Sequence, residues 1–319
     1  MLPLGLSVLI STNDGGRMVS TDGSVRWMGI RVRSGLPFAL LAATLLVLSG
    51  CGNDDAPGEA VEGEAQLGPS EVVEVVGDVD PDSPLAGIEL VRSEDVGPSY
   101  PNARIGFSSP DPGSRFDEGE PVEVGFSLSG FDLRVETPEG DERGIARAPD
   151  GQHIHFIVND RSYQAIYDAS EPLVLDDLPA GTHVLRAFPG RDWHESVKTP
   201  GALAQRLIVV GEDAAAYPPP EEWGPTLIYS RPQGEYEGAM ADSILVDFVV
   251  SNARLTADGY RVRLTVNDER QFVMSEWAPH LLLGMPEGDH TLRLELLDPE
   301  GLIVQSPFHP IEREFQVRR

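Results

Sequence analysis

The chain has 319 residues and a formal net charge of −28 at pH 7, with 52 acidic side chains against 24 lysines and arginines. Such an acidic protein repels phosphate backbones and anionic membrane surfaces, which argues against nucleic-acid binding. Because only one cysteine is present, no disulfide can form within the chain, and the fold must rest on hydrophobic cores. The length is enough for two domains of ordinary size.

Residues 1–50 have the anatomy of a secretory signal peptide. Arginines between Arg26 and Arg33 precede an apolar run over residues 36–48, which ends at Leu48-Ser49-Gly50-Cys51. That run is shorter than the roughly 20 residues of a membrane-spanning helix. A transmembrane anchor beside a chance cysteine is the alternative interpretation. Since a signal usually begins close to its basic residues, we expect translation to start at Met28, or else at Met18.

The Leu-Ser-Gly-Cys ending resembles the lipobox of bacterial lipoproteins. The resemblance implies that Cys51 becomes the first mature residue and carries lipid, palmitate included. It also implies a bacterial cell-envelope location, with the body of the protein in the periplasm or at the cell surface. Residues 1–50 carry four Arg and two Asp, so the chain from Cys51 onward has a net charge of −30.

Residues 51–100 predict a disordered acidic tether. From residue 52 to residue 100 there are 13 acidic side chains and one basic one, Arg92, with glycine and proline scattered among them. Such a segment repels itself and buries little apolar surface. A short apolar patch, Val72–Val76, is the one place where a strand could form.

From about residue 103 the pattern predicts an all-β fold of two tandem antiparallel sandwiches. Short alternating runs are separated by Gly, Pro, Asn and Asp every 8–12 residues. An internal repeat gives the domain count, and its matched segments are Gly151–Asp160 with Gly259–Asp268, Leu178–Arg186 with Met285–Arg293, Phe107–Pro110 with Tyr229–Pro232, and Val124–Phe126 with Val246–Phe248. The first copy has an insertion at about Val135–Pro149.

Repeats of this size are whole domains. We place the first at 101–212, a proline-rich linker at 213–223 and the second at 224–319. The arrangement resembles bacterial Ig-like modules on lipoproteins. The Gly-x-His-x-His and Leu-Pro-x-Gly-x-His spacing of the first copy also resembles small exported His-rich domains of unknown function, which carry no settled activity.

The two copies of the repeat allow structural residues to be told from site residues. Residues that the fold requires should occur in both copies, whereas residues of a functional site can occur in one. Asn159-Asp160 and Asn267-Asp268 occur in both copies, and such pairs cap strands through local backbone hydrogen bonds. His183 and His290 also recur, with the parity of core leucines, so we expect both to be structural.

His153 and His155 occur only in the first copy, where the second has Arg261 and Arg263. Two arginines predict a solvent-facing strand face, and residues i and i+2 project to the same side. Neutral imidazoles at that spacing suit Zn²⁺ or Cu²⁺. His194 is the expected third ligand, and the possible oxygen ligands are Asp160 and Glu195. An ordinary polar strand face is the alternative.

Aromatic side chains surround the same histidines and suggest a ligand-binding platform. The residues are Tyr163, Tyr167, Phe188 and Trp193. If they are exposed together, they can stack on a sugar, a peptide or peptidoglycan. Packing beneath the 189–202 loop is the alternative interpretation.

Signatures of an enzyme are poor. The sequence has no Gly-x-Ser-x-Gly, His-Glu-x-x-His or phosphate-loop motif. We therefore expect a membrane-anchored envelope lipoprotein with a non-catalytic binding or interaction role, whose partner is an envelope protein, peptidoglycan or a glycan. Metal binding is the alternative function, and hydrolysis the third.

Overall fold

A computed structural model of the chain describes residues 73–94, 97–138, 145–212, 218–306 and 309–319. Cys51 and the predicted signal peptide lie outside these residues. The described segments belong to one compact unit, Gly63–Arg319. Within them the secondary structure is β-strand apart from 3₁₀ turns at Pro220–Glu222 and Gly238–Ala241, and no helix has the length and apolarity to cross a membrane.

The expected all-β fold of antiparallel sandwiches is confirmed. The strands are β1 (Val73–Val76), β2 (Glu89–Arg92), β3 (Arg104–Ser109), β4 (Arg115–Phe116), β5 (Val122–Ser129), β6 (His153–Val158), β7 (Gln164–Ile166), β8 (Leu173–Leu175), β9 (Gly181–Gly190), β10 (Ala204–Val210), β11 (Thr226–Arg231), β12 (Gly234–Glu237), β13 (Ser243–Ser251), β14 (Arg261–Val266), β15 (Arg270–Met274), β16 (His280–Leu283), β17 (Gly288–Leu297) and β18 (Ile311–Arg318).

The first sandwich packs a five-stranded sheet, in the order β4-β10-β9-β6-β7, on a three-stranded sheet, β3-β5-β8. Its core combines inward residues of both sheets, with Phe126 and Val124 from β5 against Phe156 and Ile154 from β6. The rings of Phe126 and Phe156 lie 5.5 Å apart, edge to face. The two sheets thus form the sandwich that the alternating pattern predicts.

The second sandwich repeats this plan strand for strand, from β11 for β3 to β18 for β10. β4 pairs in parallel with β10, and β12 pairs in parallel with β18. A register shift occurs at Ser109, opposite Gly125, and the corresponding shift at Arg231 lies opposite Asp247. The two copies therefore share their irregularities as well as their sheets.

The expectation of a disordered tether is wrong for residues 73–92. β1 pairs with β15 at one edge of the second sandwich, and β2 pairs with β16 in its other sheet. Leu85, Ile88 and Leu90 are buried in the core of that sandwich. The acidic residues in this segment obscured the pattern of apolar residues in the sequence. Charged side chains at exposed positions of a strand do little to destabilise it, so an acidic segment can still form strands.

The two sandwiches pack against each other through the outward face of β6. All six β6 residues are buried, and an apolar cluster across the contact joins Ile157 and Phe188 to Ile228 and Val249. Polar residues at the centre of this contact form the site described next.

Candidate functional site

Two of the three predicted metal ligands lie on β6, held between β7 and β9. His153 pairs with Gly190 and His155 with Phe188 in the β9 register. Because the strand alternates, both imidazoles project to the face that meets the second sandwich, and their ring centroids lie 4.7 Å apart. Both side chains are fully buried, so the expectation that this face meets solvent was wrong. Arg261 and Arg263, which stand in their places in the second copy, stay partly exposed.

His194 reaches the same place from the tight loop that follows β9. Gly190 bridges Ser196, and the Arg191 amide donates to the Glu195 carbonyl over 2.8 Å. His194 has a φ of 68°, a left-handed conformation that is costly for a residue with a Cβ. Such strain persists where the surrounding structure determines it, and it concentrates at functional sites.

The insertion unique to the first copy braces that loop. Arg147 forms an ion pair with buried Asp192. The Asp192 carbonyl accepts from the Ala148 amide, and the Asp192 amide donates to the Thr137 hydroxyl. The residues that the second copy lacks therefore fix the loop that carries the third histidine.

One ring nitrogen from each of His153, His155 and His194 lies within 4.8 Å of the other two. Nδ1 of His153 is 2.9 Å from the Gly151 carbonyl, which can only accept, so this nitrogen carries the proton and Nε2 presents a lone pair. Nδ1 of His194 lies 3.3 Å from that Nε2. The two nitrogens therefore lie within hydrogen-bond distance of each other. Their separation is also close to the distance of about 3.3–3.4 Å between two nitrogens bound at about 2.0–2.1 Å to one tetrahedral ion.

His155 has one partnered and one orphaned nitrogen. Nδ1 lies 3.2 Å from the Ser230 hydroxyl of β11, whereas Nε2 is buried without a hydrogen-bond partner. The ring occupies the space beside Gly190, where an added Cβ would come within 2.2 Å of Nε2. An orphaned buried nitrogen costs free energy unless something binds to it.

The three imidazoles are held neutral. Burial lowers the pKa of His153 to about 4 and that of His194 to about 2. Burial, followed by the other two histidines, also holds the pKa of His155 well below its ordinary value. Neutral imidazole is the form that coordinates metal ions, and at neutral pH all three residues have it.

Tyr163 and Arg231 complete one side of the cluster. The Tyr163 ring stacks on His155 with centroids 3.7 Å apart, and its hydroxyl lies 2.9 Å from Nδ1 of His194. Nη2 of Arg231, in the second sandwich, donates to that hydroxyl over 2.5 Å. Burial raises the pKa of Tyr163, so the phenol stays neutral beside the guanidinium.

The expected aromatic platform is wrong. Tyr163, Phe188 and Trp193 are buried, the last two completely, and Tyr167 is only partly exposed. Phe188 packs in the contact between the sandwiches, and the indole of Trp193 donates to the Glu195 carboxylate. The second sandwich covers the aromatic face that we expected the first sandwich to expose to solvent.

The two suggested oxygen ligands also lie apart from the histidines. Asp160 is exposed at the far end of β6. The Glu195 carboxylate pairs with Arg191 at 3.3 Å and accepts from Trp193. The candidate site therefore offers nitrogen donors, with the Tyr163 hydroxyl beside them.

The structural assignment of the recurring residues is confirmed. In both copies the asparagine amide contacts histidine Nδ1 at 3.0 Å, for Asn159 with His183 and for Asn267 with His290. The asparagine oxygens accept from the Val184 and Thr291 amides. These contacts tie the end of one strand to the start of another and leave neither histidine at the site.

Sequence reasoning missed the residues that the second sandwich and the interface contribute. Lys198, the one lysine of the chain, forms a buried ion pair with Asp247, and Ser196 donates to the same carboxylate. Asp247 interrupts the apolar run 244–250. An apolar run of that kind indicates a strand buried on both faces, and a lone acid within it indicates a buried partner.

No family model matches the chain, and no curated protein matches it. Solved structures with similar folds include the fibronectin(III)-like modules of Clostridium thermocellum CbhA, with 14% identity, 67% of this chain and 94% of that chain covered, and a TM-score of 0.24.

Two further matches have TM-scores of 0.19. The first is the Bacteroides ovatus mixed-linkage glucan utilization locus SGBP-B in complex with a mixed-linkage heptasaccharide, at 13% identity, with 68% of this chain and 48% of that chain covered. The second is Parabacteroides merdae beta-glucuronidase, at 10% identity, with 67% of this chain and 25% of that chain covered. Likenesses this low carry no argument about the site.

Proposed function

We propose that this protein binds a transition-metal ion through His153, His155 and His194. The observation that carries the proposal is the convergence of one nitrogen from each imidazole at the contact between the sandwiches. Two of these residues are neighbours on one strand, but the third comes from a loop about 40 residues away. A merely polar strand face gives no reason for that loop to adopt a strained conformation and bring a third imidazole to the pair.

The surroundings of the three histidines support coordination. His153 offers its Nδ1 proton to a backbone carbonyl, and His155 has its Nδ1 against the Ser230 hydroxyl. Metal-ligating histidines usually donate their second ring nitrogen to such a group, which fixes the tautomer and the ring orientation. In both residues this leaves Nε2 for the ion, and in His155 that nitrogen has no other partner.

The donor set selects among ions. Imidazole nitrogens suit Zn²⁺ and copper, whereas Mg²⁺ and Ca²⁺ prefer oxygen ligands. The widest separation allowed by the cluster, 4.8 Å, exceeds the edge of a tetrahedral site, so small rotations of the imidazole rings complete the coordination. We propose Zn²⁺ or copper as the ligand.

The role is binding rather than catalysis. Within the described residues, the arrangement closest to a hydrolase is Ser196, whose hydroxyl lies 3.0 Å from Nζ of Lys198. Both groups are engaged by the Asp247 carboxylate, and Ser196 is buried. A lysine held in an ion pair cannot take the proton of a nucleophile, so this trio holds the interface together instead.

We further propose that Cys51 carries the lipid that anchors the protein in a bacterial envelope. The Leu48-Ser49-Gly50-Cys51 ending after a short apolar run supports it. Cys51→Ala should leave an unprocessed precursor that takes up no palmitate analogue in metabolic labelling, while Ser49→Ala, which keeps a small residue, should still be labelled. Equal labelling of the Cys51→Ala variant would contradict the anchor.

Calorimetric titration of the full chain with Zn²⁺ and Cu²⁺ at pH 7.5 tests metal binding. We expect one saturable site, and a loss of affinity of at least about a hundredfold for His153→Ala, His155→Ala or His194→Ala. Ser230→Ala, which removes only a supporting hydrogen bond, should cost about 10- to 100-fold.

His290→Ala is the matched control, because it removes an imidazole of similar burial from the second sandwich, away from the cluster. Its affinity should equal that of the parent. Absence of saturable binding of Zn²⁺, Cu²⁺ and, under reducing conditions, Cu⁺ at micromolar metal, or binding that survives the loss of the cluster histidines, would refute the proposed function.

A further inference from the structure

The charge beside the histidine cluster distinguishes among the ions that three imidazoles could hold. The guanidinium of Arg231 donates to the Gln233 carbonyl and the Tyr163 hydroxyl, both neutral groups, and its Nε is buried without a partner. In the described part of the chain no carboxylate pairs with Arg231. The site therefore faces an uncompensated positive charge.

The other charges around the cluster have close partners of opposite charge. Asp192 is paired with Arg147, and Lys198 with Asp247. Arg191 is paired with Glu195.

The pairing of Asp192 is not complete, because its carboxylate still raises the pKa of His153, against the effect of Arg231. In the described part of the chain no carboxylate offsets the lowering that Arg231 causes in the pKa of His155 and His194. Arg231 is thus the charged group without a paired carboxylate whose field acts on an ion at those two imidazoles.

We propose that Arg231 makes the three-histidine site selective for a monovalent cation, and that the ion it holds is Cu⁺. The inference rests on the proposed function and narrows its ligand. The Tyr163 hydroxyl touches both Nη2 of Arg231 and Nδ1 of His194. At roughly 6 Å and an effective dielectric constant of about 20 to 40, the repulsion is equivalent to a tenfold to hundredfold loss of affinity for each unit of charge on the ion. A divalent ion suffers this factor twice.

The ligand set fits the same ion. Three neutral nitrogens without a carboxylate or thiolate bring no negative charge that would offset a second positive charge on the metal. Three imidazoles also hold Zn²⁺ where a water molecule completes four ligands, so the charge of Arg231, and not the number of histidines, carries the preference for Cu⁺. A comparison of the affinities for Cu⁺ and Cu²⁺ tests the effect of ionic charge without a change of metal, because the same side chains bind both oxidation states.

The test measures both copper affinities and the reduction potential of bound copper in the full chain carrying Cys51→Ser, so that no thiol competes for Cu⁺. Chromogenic chelators compete for Cu⁺ under anaerobic reducing conditions, and calorimetry gives the Cu²⁺ and Zn²⁺ affinities. We expect Cu⁺ to bind more tightly than Zn²⁺. In Arg231→Gln the ratio of Cu⁺ to Cu²⁺ affinity should fall tenfold to hundredfold, which lowers the potential by about 60–120 mV.

Arg231→Lys is the matched control, because it keeps the charge and removes the planar hydrogen-bonding group. Arg313→Gln removes another arginine of the interface, one that lies over the Tyr229 ring, and so measures the background change in potential. The potential of Arg231→Lys should differ from that of the parent by no more than this background change. An Arg231→Gln potential equal to the parent's, or Zn²⁺ bound more tightly than Cu⁺, would overturn the inference and leave metal binding standing. Failure of every ion to bind would remove the proposed function itself.

Discussion

Mild acid should destabilise the metal-free protein through its buried histidines. The pKa of His153 is lowered to about 4 and that of His194 to about 2, both by burial, whereas an unfolded histidine has a pKa of about 6.5. Between these values the unfolded chain holds more protons than the folded one, so the free energy of unfolding falls as the pH falls below 6.5.

The magnitude follows from the width of that window. Each pH unit below 6.5 costs about 1.4 kcal/mol per histidine, so at pH 5 His153 and His194 together cost about 4 kcal/mol. His155 and His280 are also buried and shift in the same direction. A loss of this size is comparable to the whole stability of many domains, which is about 5–15 kcal/mol.

Urea unfolding followed by tryptophan fluorescence, in chelator-treated buffer at half-unit steps from pH 7.5 to 5, measures this slope. The double variant His153→Gln, His194→Gln should lose about 4 kcal/mol less between pH 7.5 and 5 than the parent. Ile244→Val, which removes a buried methyl group from the core of the second sandwich and no ionisable group, should be less stable at every pH with an unchanged slope. Parallel pH profiles for the parent and the double variant would refute the reasoning.

Three further substitutions or truncations test the packing of the site and of the interface. Gly190→Ala places a Cβ within 2.2 Å of Nε2 of His155, so calorimetry should show lost metal affinity, while Gly224→Ala, with no atom within 4 Å of its added Cβ, should bind normally. Asp247→Asn leaves Lys198 buried without its counter-charge and should cost about 3–5 kcal/mol in urea unfolding, and adding Lys198→Met should restore part of that loss. The fragment 224–319 lacks β1 and β2, which pair with its sheets, and should show no cooperative thermal transition; a sharp transition would mean that these strands are dispensable.

The fold could be predicted because its signals are local and occur twice. Alternation of period two, turn residues at short intervals and matched motifs such as Gly151–Asp160 and Gly259–Asp268 each depend on a few neighbouring residues. For residues 73–92 the apolar patch 72–76 indicated that a strand could form, and β1 lies there. Neither β2 nor the partners of these two strands could be predicted in the same way. β1 and β2 pair with strands that lie about 190 to 200 residues further along the chain, and no local pattern records such a pairing.

The sequence predicted which three histidines come together and gave the wrong surroundings for them. His153 and His155 stand out because the second copy has Arg261 and Arg263 in their places. The parity argument then gave the wrong environment, since it treated each sandwich as an isolated body with one solvent face. Tyr163 and Phe188 were therefore expected at the surface, although Ile228 and Val249 cover that face.

The duplication itself explains why the site lies where it does. Two copies of one sandwich offer the same outward strand face twice, and in the described residues β11 and β13 of the second copy cover this face in the first. That contact withdraws two imidazoles from water, brings Ser230 and Arg231 to them, and leaves the equivalent arginines of the second copy on a partly exposed strand. Neither copy alone contains this combination of neutral donors and fixed charge. The function should therefore depend on the pairing of the two sandwiches, and a substitution that breaks the contacts of Asp247 with Ser196 and Lys198, such as Asp247→Asn, should weaken metal binding as well as folding.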